Sequence, residues 1–104
     1  MATDRNGMFQ VAFTPSAFDD INWFRQYEQN IIFDKIEEQL RYEPDVETRN
    51  KKRLRPNQVS EWELRVETFR VFYDVDAVAN AVEVRMVGHK EGNKLLVRGK
   101  EYAL

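Results

Sequence analysis

The chain has 104 residues, 42% hydrophobic and 12% aromatic. That supports one domain with one core and argues against wholesale disorder. It has no cysteine and a single histidine, which excludes disulfides, thiolate catalysis and thiolate metal sites and argues against structural zinc. A net charge of -2 counts against a protein that coats nucleic acid with positive charge. No apolar run approaches the ~20 residues of a membrane span. The leading MATDRNG lacks the apolar stretch of a signal peptide. The expectation is a cytoplasmic protein with no membrane contact, no metal and no cofactor. Residues 1–7 are expected to be a frayed lead-in.

Residues 8–13 (MFQVAF) alternate Phe9, Val11 and Phe13 with Gln10 and Ala12, the period of a strand. Thr14-Pro15-Ser16 opens a helix, with either Thr14 or the Ser16–Asp19 pair as its cap. Phe18, Ile21, Phe24 and Tyr27 follow at helical spacing. A second helix is predicted over 29–42, where Ile32, Ile36 and Leu40 recur at every fourth position and Glu37, Glu38 and Arg41 take the outer face. The join near Tyr27–Asn30 holds no Gly or Pro, so a tight hairpin and a single bent helix both fit. Pro44 ends the helical stretch.

Six acids lie between Asp34 and Glu47, and RNKKRLR (49–55) follows with five bases. This uneven spread makes a local basic patch that the net charge conceals, and local potential is what steers a polyanion. Residues 45–60 are read as a loop with a short turn of structure at Lys52–Leu54. Three strands come next, between Glu61 and Lys90. Trp62, Leu64 and Val66 face the core in the first, and Phe69, Val71, Tyr73 and Val75 in the second. Val82, Val84 and Met86 do so in the third. The turn at Glu67–Thr68 is tight, and Asp76–Asn80 makes a looser hairpin. Lys94–Val97 forms a last short strand, and residues 98–104 form a polar tail. The order β-α-α-β-β-β predicts an α+β fold with two N-terminal helices packed on a small antiparallel sheet.

Strand alternation puts Arg65, Arg70 and Arg85 on the outer face with Glu61, Glu63 and Glu83. Such a mixture is either cross-strand ion pairing on a wet surface or a phosphate-binding face, since the arginine fork matches phosphate oxygens. His89 ends the third strand between Gly88 and Lys90. It is either a solvated surface histidine or a group that gives and takes a proton near neutrality. The basic run is a solvated loop, a nucleic-acid contact, or the counterpart of the acids before it. Phe18, Trp23, Phe24, Trp62, Phe69 and Tyr73 are expected in the core. Phe72 falls on the charged face by alternation, where it would stack a base or meet a partner protein.

WELRVETFRVFYDVD followed by VEVRMVGHK, with the upstream helices and the KRLRP segment, resembles the RelE/ParE superfamily of toxins from type II toxin–antitoxin pairs. The resemblance spans roughly residues 9–97, and the whole of 1–104 is expected to be one such domain. It implies metal-free cleavage of messenger RNA in the ribosomal A site by attack of the ribose 2'-OH on the adjacent phosphate. Such a step needs a base, an acid and cations for the phosphate. On this chain the resemblance implies Arg70 and Arg65 as phosphate contacts, His89 as general acid or base, and Lys90 as a further phosphate contact. Lys51, Lys52, Arg53, Arg55 and Arg85 would hold RNA. Glu63 stands where strongly active members carry lysine. The tyrosine such members often have after the glycine-led basic segment is missing from GNKLLV, and Tyr102 comes later. The implied partners are a cognate antitoxin, the ribosome and messenger RNA, with a homodimer left open. Two alternatives stand beside the nuclease: a ParE-like toxin that binds DNA gyrase, and a catalytically degenerate toxin that binds only its antitoxin.

Overall fold

The structure is a computed structural model that describes residues 7–104, so the expected lead-in, Gly7 apart, lies outside the described residues. The first strand, β1, is Gln10–Phe13. Helix α1 (Pro15–Trp23) begins at Thr14, whose hydroxyl accepts the Ala17 N–H at 3.0 Å, with Pro15 in the first helical position. Phe24 and Arg25 are both extended, and α2 (Gln26–Leu40) starts afresh after them. The join is therefore neither a hairpin turn at 27–30 nor one bent helix. It is a two-residue break whose backbone groups are met locally. The Arg25 N–H donates to Glu28 Oε1 at 3.0 Å, and Gln29 Nε2 donates to the Phe24 carbonyl at 2.9 Å.

The remaining strands are β2 (Lys51–Arg53), β3 (Trp62–Val66), β4 (Phe69–Asp76), β5 (Ala81–Glu91), β6 (Lys94–Val97) and β7 (Lys100–Glu101). They run antiparallel in the order β2-β3-β4-β5-β6-β7, and β1 adds to the first half of β5 in parallel. Two elements go beyond the expected order. The basic run supplies β2, and the polar tail supplies β7. The Glu67 turn residue has φ 54°, the left-handed start that a tight hairpin demands. In the looser hairpin, Asp76 Oδ1 accepts the N–H groups of Val78 and Ala79.

The helices lie on one sheet face. Ile21, Phe24, Ile32, Ile36 and Leu40 pack there with Leu64, Val71, Tyr73, Val84 and Val87. Burying each such side chain contributes about 1.5–3 kcal/mol. Phe18 and Trp23, expected inside, keep about half their surface exposed, because two short helices offer too narrow a buried stripe for all their aromatics.

A β-bulge changes the sheet's pattern. Phe72 pairs with Met86 but Tyr73 pairs with Val84, so Arg85 is the extra residue on β5. Beyond it the facing reverses. Val87 joins the helix-side core, and Met86 turns to the other face with Phe72 and Leu95. The outer face thus carries a small apolar cluster of its own, covered by Leu54, Val59 and Val97. Asn57 folds the covering loop, accepting the Val59 and Ser60 N–H groups and donating to the carbonyls of Arg55 and Ser60. Phe72 is completely buried here, so no base or partner reaches it.

Candidate functional site

The outer sheet face around Arg70 gathers four of the nine expected site residues, Lys52, Arg65, Arg70 and Lys90. Cross-strand partners share a face, which builds two adjacent rows. Lys52, Glu63, Phe72 and Met86 make one; Arg65, Arg70 and Gly88 make the next. Lys90 lies two residues beyond Gly88 on the same side, opposite Leu95 of the outer cluster. Gly88 is required where it stands, since a Cβ there would sit 2.6 Å from the Leu96 carbonyl oxygen. The row across Arg70 is therefore flat, with no side chain on its β5 partner.

Arg65 and Arg70 are direct cross-strand partners, an arrangement that costs several tenths of a kcal/mol without an anion between or beside them. Glu63 meets part of that cost. Its Oε1 takes the Arg65 Nε at 3.0 Å. Arg70 has no carboxylate partner among the described residues. Its Nη1 donates instead to the turn carbonyls of Glu67 (2.9 Å) and Phe69 (2.8 Å). Those carbonyls orient the guanidinium without neutralising it. Burial holds the Arg70 pKa below the ordinary arginine value, with Arg65 adding to the effect and Glu63 opposing it. A partly desolvated, oriented, unneutralised guanidinium is suited to an oxyanion such as phosphate.

The structure parts His89 from this cluster. His89 is the cross-strand partner of Phe69 and so faces the helices, whereas Arg70 pairs with Gly88 on the opposite face. The imidazole stacks on Trp23 at 5.7 Å and 14° and meets Phe24 edge-on, with Nε2 3.4 Å from Glu91 Oε2. Its side chain is 16% exposed, and Nδ1 is buried without a hydrogen-bond partner among the described residues. The bulge decides this placement, because unbroken alternation would have put His89 beside the arginines.

The other expected RNA contacts separate in the same way. Lys51 is buried against the helices, donating from Nζ to the carbonyls of Gln39 (3.3 Å) and Glu43 (2.9 Å). It caps the end of α2, and burial lowers its pKa. Arg53 lies over the Trp62 ring at 5.6 Å and 4.0 Å from Glu61. Arg85 is bound to Glu83 at 2.8 Å and lies 3.7 Å from Asp74. Lys52 and Arg55 have no carboxylate partner among the described residues.

Sequence reasoning missed the part played by the tail. Arg98 Nε lies 3.0 Å from Asp20 Oδ1, and Asp20 Oδ2 accepts the Val87 N–H at 3.1 Å. Between the reaches of β1 and β6, residues 85–88 of β5 have no strand neighbour on that edge among the described residues, and Asp20 fills part of the gap. Beside it opens a groove of about 790 Å³ lined by Arg85, Met86, Val97, Arg98, Lys100 and Tyr102. The acidic Asp19-Asp20 pair of an otherwise amphipathic helix was the available signal. Its partner Arg98 lies too far along the chain to be paired with it by inspection.

No family model matches the chain, and no curated protein does. Solved structures do match. A chain of the toxin–antitoxin complex RelBE2 from Mycobacterium tuberculosis aligns with a TM-score of 0.71 at 24% identity, covering 84% of this chain and 97% of that one. A chain of the archaeal RelE–RelB complex from Pyrococcus horikoshii OT3 aligns with a TM-score of 0.65 at 14% identity, covering 83% and 98%. The fold is RelE-like. The α+β architecture expected from the sequence holds, with two helices on a mainly antiparallel sheet. The outer sheet face, not the helix face, carries Arg65, Arg70 and Lys90.

Proposed function

We propose that this chain is the toxin of a type II toxin–antitoxin pair and that it cleaves messenger RNA on the ribosome without a metal. The observation that carries the reading is Arg70, held by two turn carbonyls and left without a carboxylate partner among the described residues, in a RelE-like fold. Arg65 and Lys90 share its sheet face and would add charge to the phosphate as it gains a fifth oxygen neighbour. Lys52 and Arg55 would hold the RNA backbone. The partner is a cognate antitoxin, as the two similar structures described above are toxin–antitoxin complexes. A cytoplasmic setting and a single domain over 1–104 belong to the same reading.

One observation favours a second reading. Arg53, Arg65 and Arg85 are each within ion-pair reach of an acid, and Lys51 is buried, so few of the bases that would grip RNA are unpaired. A toxin that binds a protein such as DNA gyrase, in the ParE manner, needs fewer of them.

The test is induced expression of the chain alone in bacteria, with growth followed and messenger RNA 5' ends mapped. Growth arrest with new ends inside translated codons is expected. Arg70→Ala should lower cleavage by about 10²–10³-fold while the protein stays folded. Arrest without new ends selects the gyrase reading. Soluble folded protein with no arrest selects a degenerate toxin that binds only its antitoxin.

A further inference from the structure

We infer that the tail hairpin, β6 and β7, is a hinged strap that opens and closes on the end of β5 as one unit while the rest of the domain stays folded. The hairpin joins the sheet through three residue pairs, His89–Leu96, Lys90–Leu95 and Glu91–Lys94. Its far edge, β7, has no further strand beside it among the described residues. Leu95 is the one buried residue of the two strands. So few buried contacts put a segment at the low end of local stability. The turn at Gly92–Asn93, between β5 and β6, is the hinge.

Gly88 is the seat of the strap. A Cβ there would lie 2.6 Å from the Leu96 carbonyl oxygen, 3.1 Å from Leu95 Cδ1 and 3.2 Å from Val97 Cγ2, all of them on β6. Arg98 is the latch. Arg98 and Gly99 are the central residues of the turn from β6 to β7, with φ 50° and 78°. Both angles are left-handed, as in the hairpin turn that usually reads Asn-Gly, and an arginine in the first place is held against its backbone preference. What holds it is Asp20 of α1. Arg98 Nε stands 3.0 Å from Oδ1, an atom that makes no hydrogen bond among the described residues. A carboxylate with 1% exposure is costly to leave without an opposite charge. Gly99 adds a second hold on the same helix, since a Cβ there would lie 3.2 Å from Trp23 Cζ2. The tip of the strap is thus fixed to α1, not to the sheet. A hairpin that only lengthened the sheet would need neither a strained arginine in its turn nor a buried acid to receive it.

Closed, the strap lays Leu95 and Val97 against Phe72 and Met86 and sets Leu95 opposite Lys90 on the Arg70 face. Open, it leaves residues 85–91 of β5 without a strand on that edge among the described residues, and it withdraws the strand that backs Lys90. The strap therefore decides whether the Arg70 face is complete. This holds whichever target the toxin acts on.

The experiment is native-state hydrogen exchange on the purified full-length chain in rising, sub-denaturing urea. Wild type, Gly88→Ala, Arg98→Ala and the double variant Asp20→Asn/Arg98→Ala are compared, with the urea midpoint measured for each. The strap probes are the amides of Leu96, which pairs with His89, and of Tyr102, which donates to the Leu95 carbonyl at 2.9 Å. Leu64 and Val71, cross-strand partners in the middle of the sheet, are the reference. In wild type the two strap amides should exchange through one shared opening with little urea dependence, at least about tenfold faster than the reference pair. Gly88→Ala, which wedges the seat, and Arg98→Ala, which removes the latch, should each speed the strap amides about tenfold more. Leu64 and Val71 should change by less than about twofold. Strap and reference amides exchanging together in wild type, at the rate of global unfolding, would overturn the proposal. So would variants that speed all four amides alike. Should either single variant fail to fold, the double variant decides, because it leaves no buried charge unpaired: strap amides at the wild-type rate there sink the latch.

Discussion

Asp20 carries a formal charge in the interior, with 1% of its surface exposed. Burial raises its pKa above the ordinary 3.8, and the Val87 N–H and Arg98 pull it back only in part. The folded chain therefore takes up this proton more readily than the unfolded chain does. Asp20's contribution to stability is fully present below pH 3.8 and declines as pH rises through the raised folded-state value. Urea midpoints from acid to neutral pH should show wild type losing ground to Asp20→Asn across that window. Wild type gaining instead would mean that Arg98 outweighs burial. Arg70 makes a related point about legibility. Its strand and face were evident from alternation in FRVFYDVD, but whether a carboxylate had claimed it was not. Only the turn carbonyls of Glu67 and Phe69, brought round by the hairpin, decide that.

Among the elements, β2 departs furthest from its sequence. KKR is a basic triplet with no apolar alternation, so nothing local marks it as a strand. It pairs with β3 because the chain must return from α2 along that edge, and Lys51 is drawn inside to meet the carbonyls of Gln39, in the last turn of the helix, and of Glu43 just beyond it. Lys51→Ala removes both hydrogen bonds from a charged donor and should cost about 2 kcal/mol, read as a lower denaturation midpoint. A Lys51 that served RNA would instead lose activity at unchanged stability. The β5 bulge is the other departure. AVEVRMVGHK reads as one uninterrupted strand, and its period of two is sound up to Val84. One inserted residue then exchanges Met86 with Val87 and carries His89 to the helix side. The sequence has no marker for it, since the bulged residue is an arginine, not a glycine.

Over the whole molecule, charge pairing limits how strongly this chain binds a polyanion. Lys52, Arg55, Arg70 and Lys90 are the candidate phosphate contacts without a carboxylate partner among the described residues. With about 0.7 counterions released per contact on a single strand, the log-log salt slope of RNA binding should be about -3. Titrations against salt would check it. A slope well beyond that value would mean that the ion pairs of Arg53, Arg65 and Arg85 open on binding.

What the sequence determined by itself was everything carried by local periodicity and composition. Helical spacing from Phe18 to Leu40, alternation through β3 and β4, the Thr14-Pro15 start and the tight turn at Glu67 together specify two helices on an antiparallel sheet. Those signals are local because they arise from how neighbouring residues share one backbone. What the tertiary structure decided was every matter of adjacency between distant segments. The parallel docking of β1 on β5, the outer cluster over Phe72, the Asp20–Arg98 pair, the interior Lys51 and the separation of His89 from Arg70 all belong to it. Each depends on which face a residue presents after one bulge and on what lies across the sheet. A period of two cannot record either, because a single extra residue reverses every position beyond it.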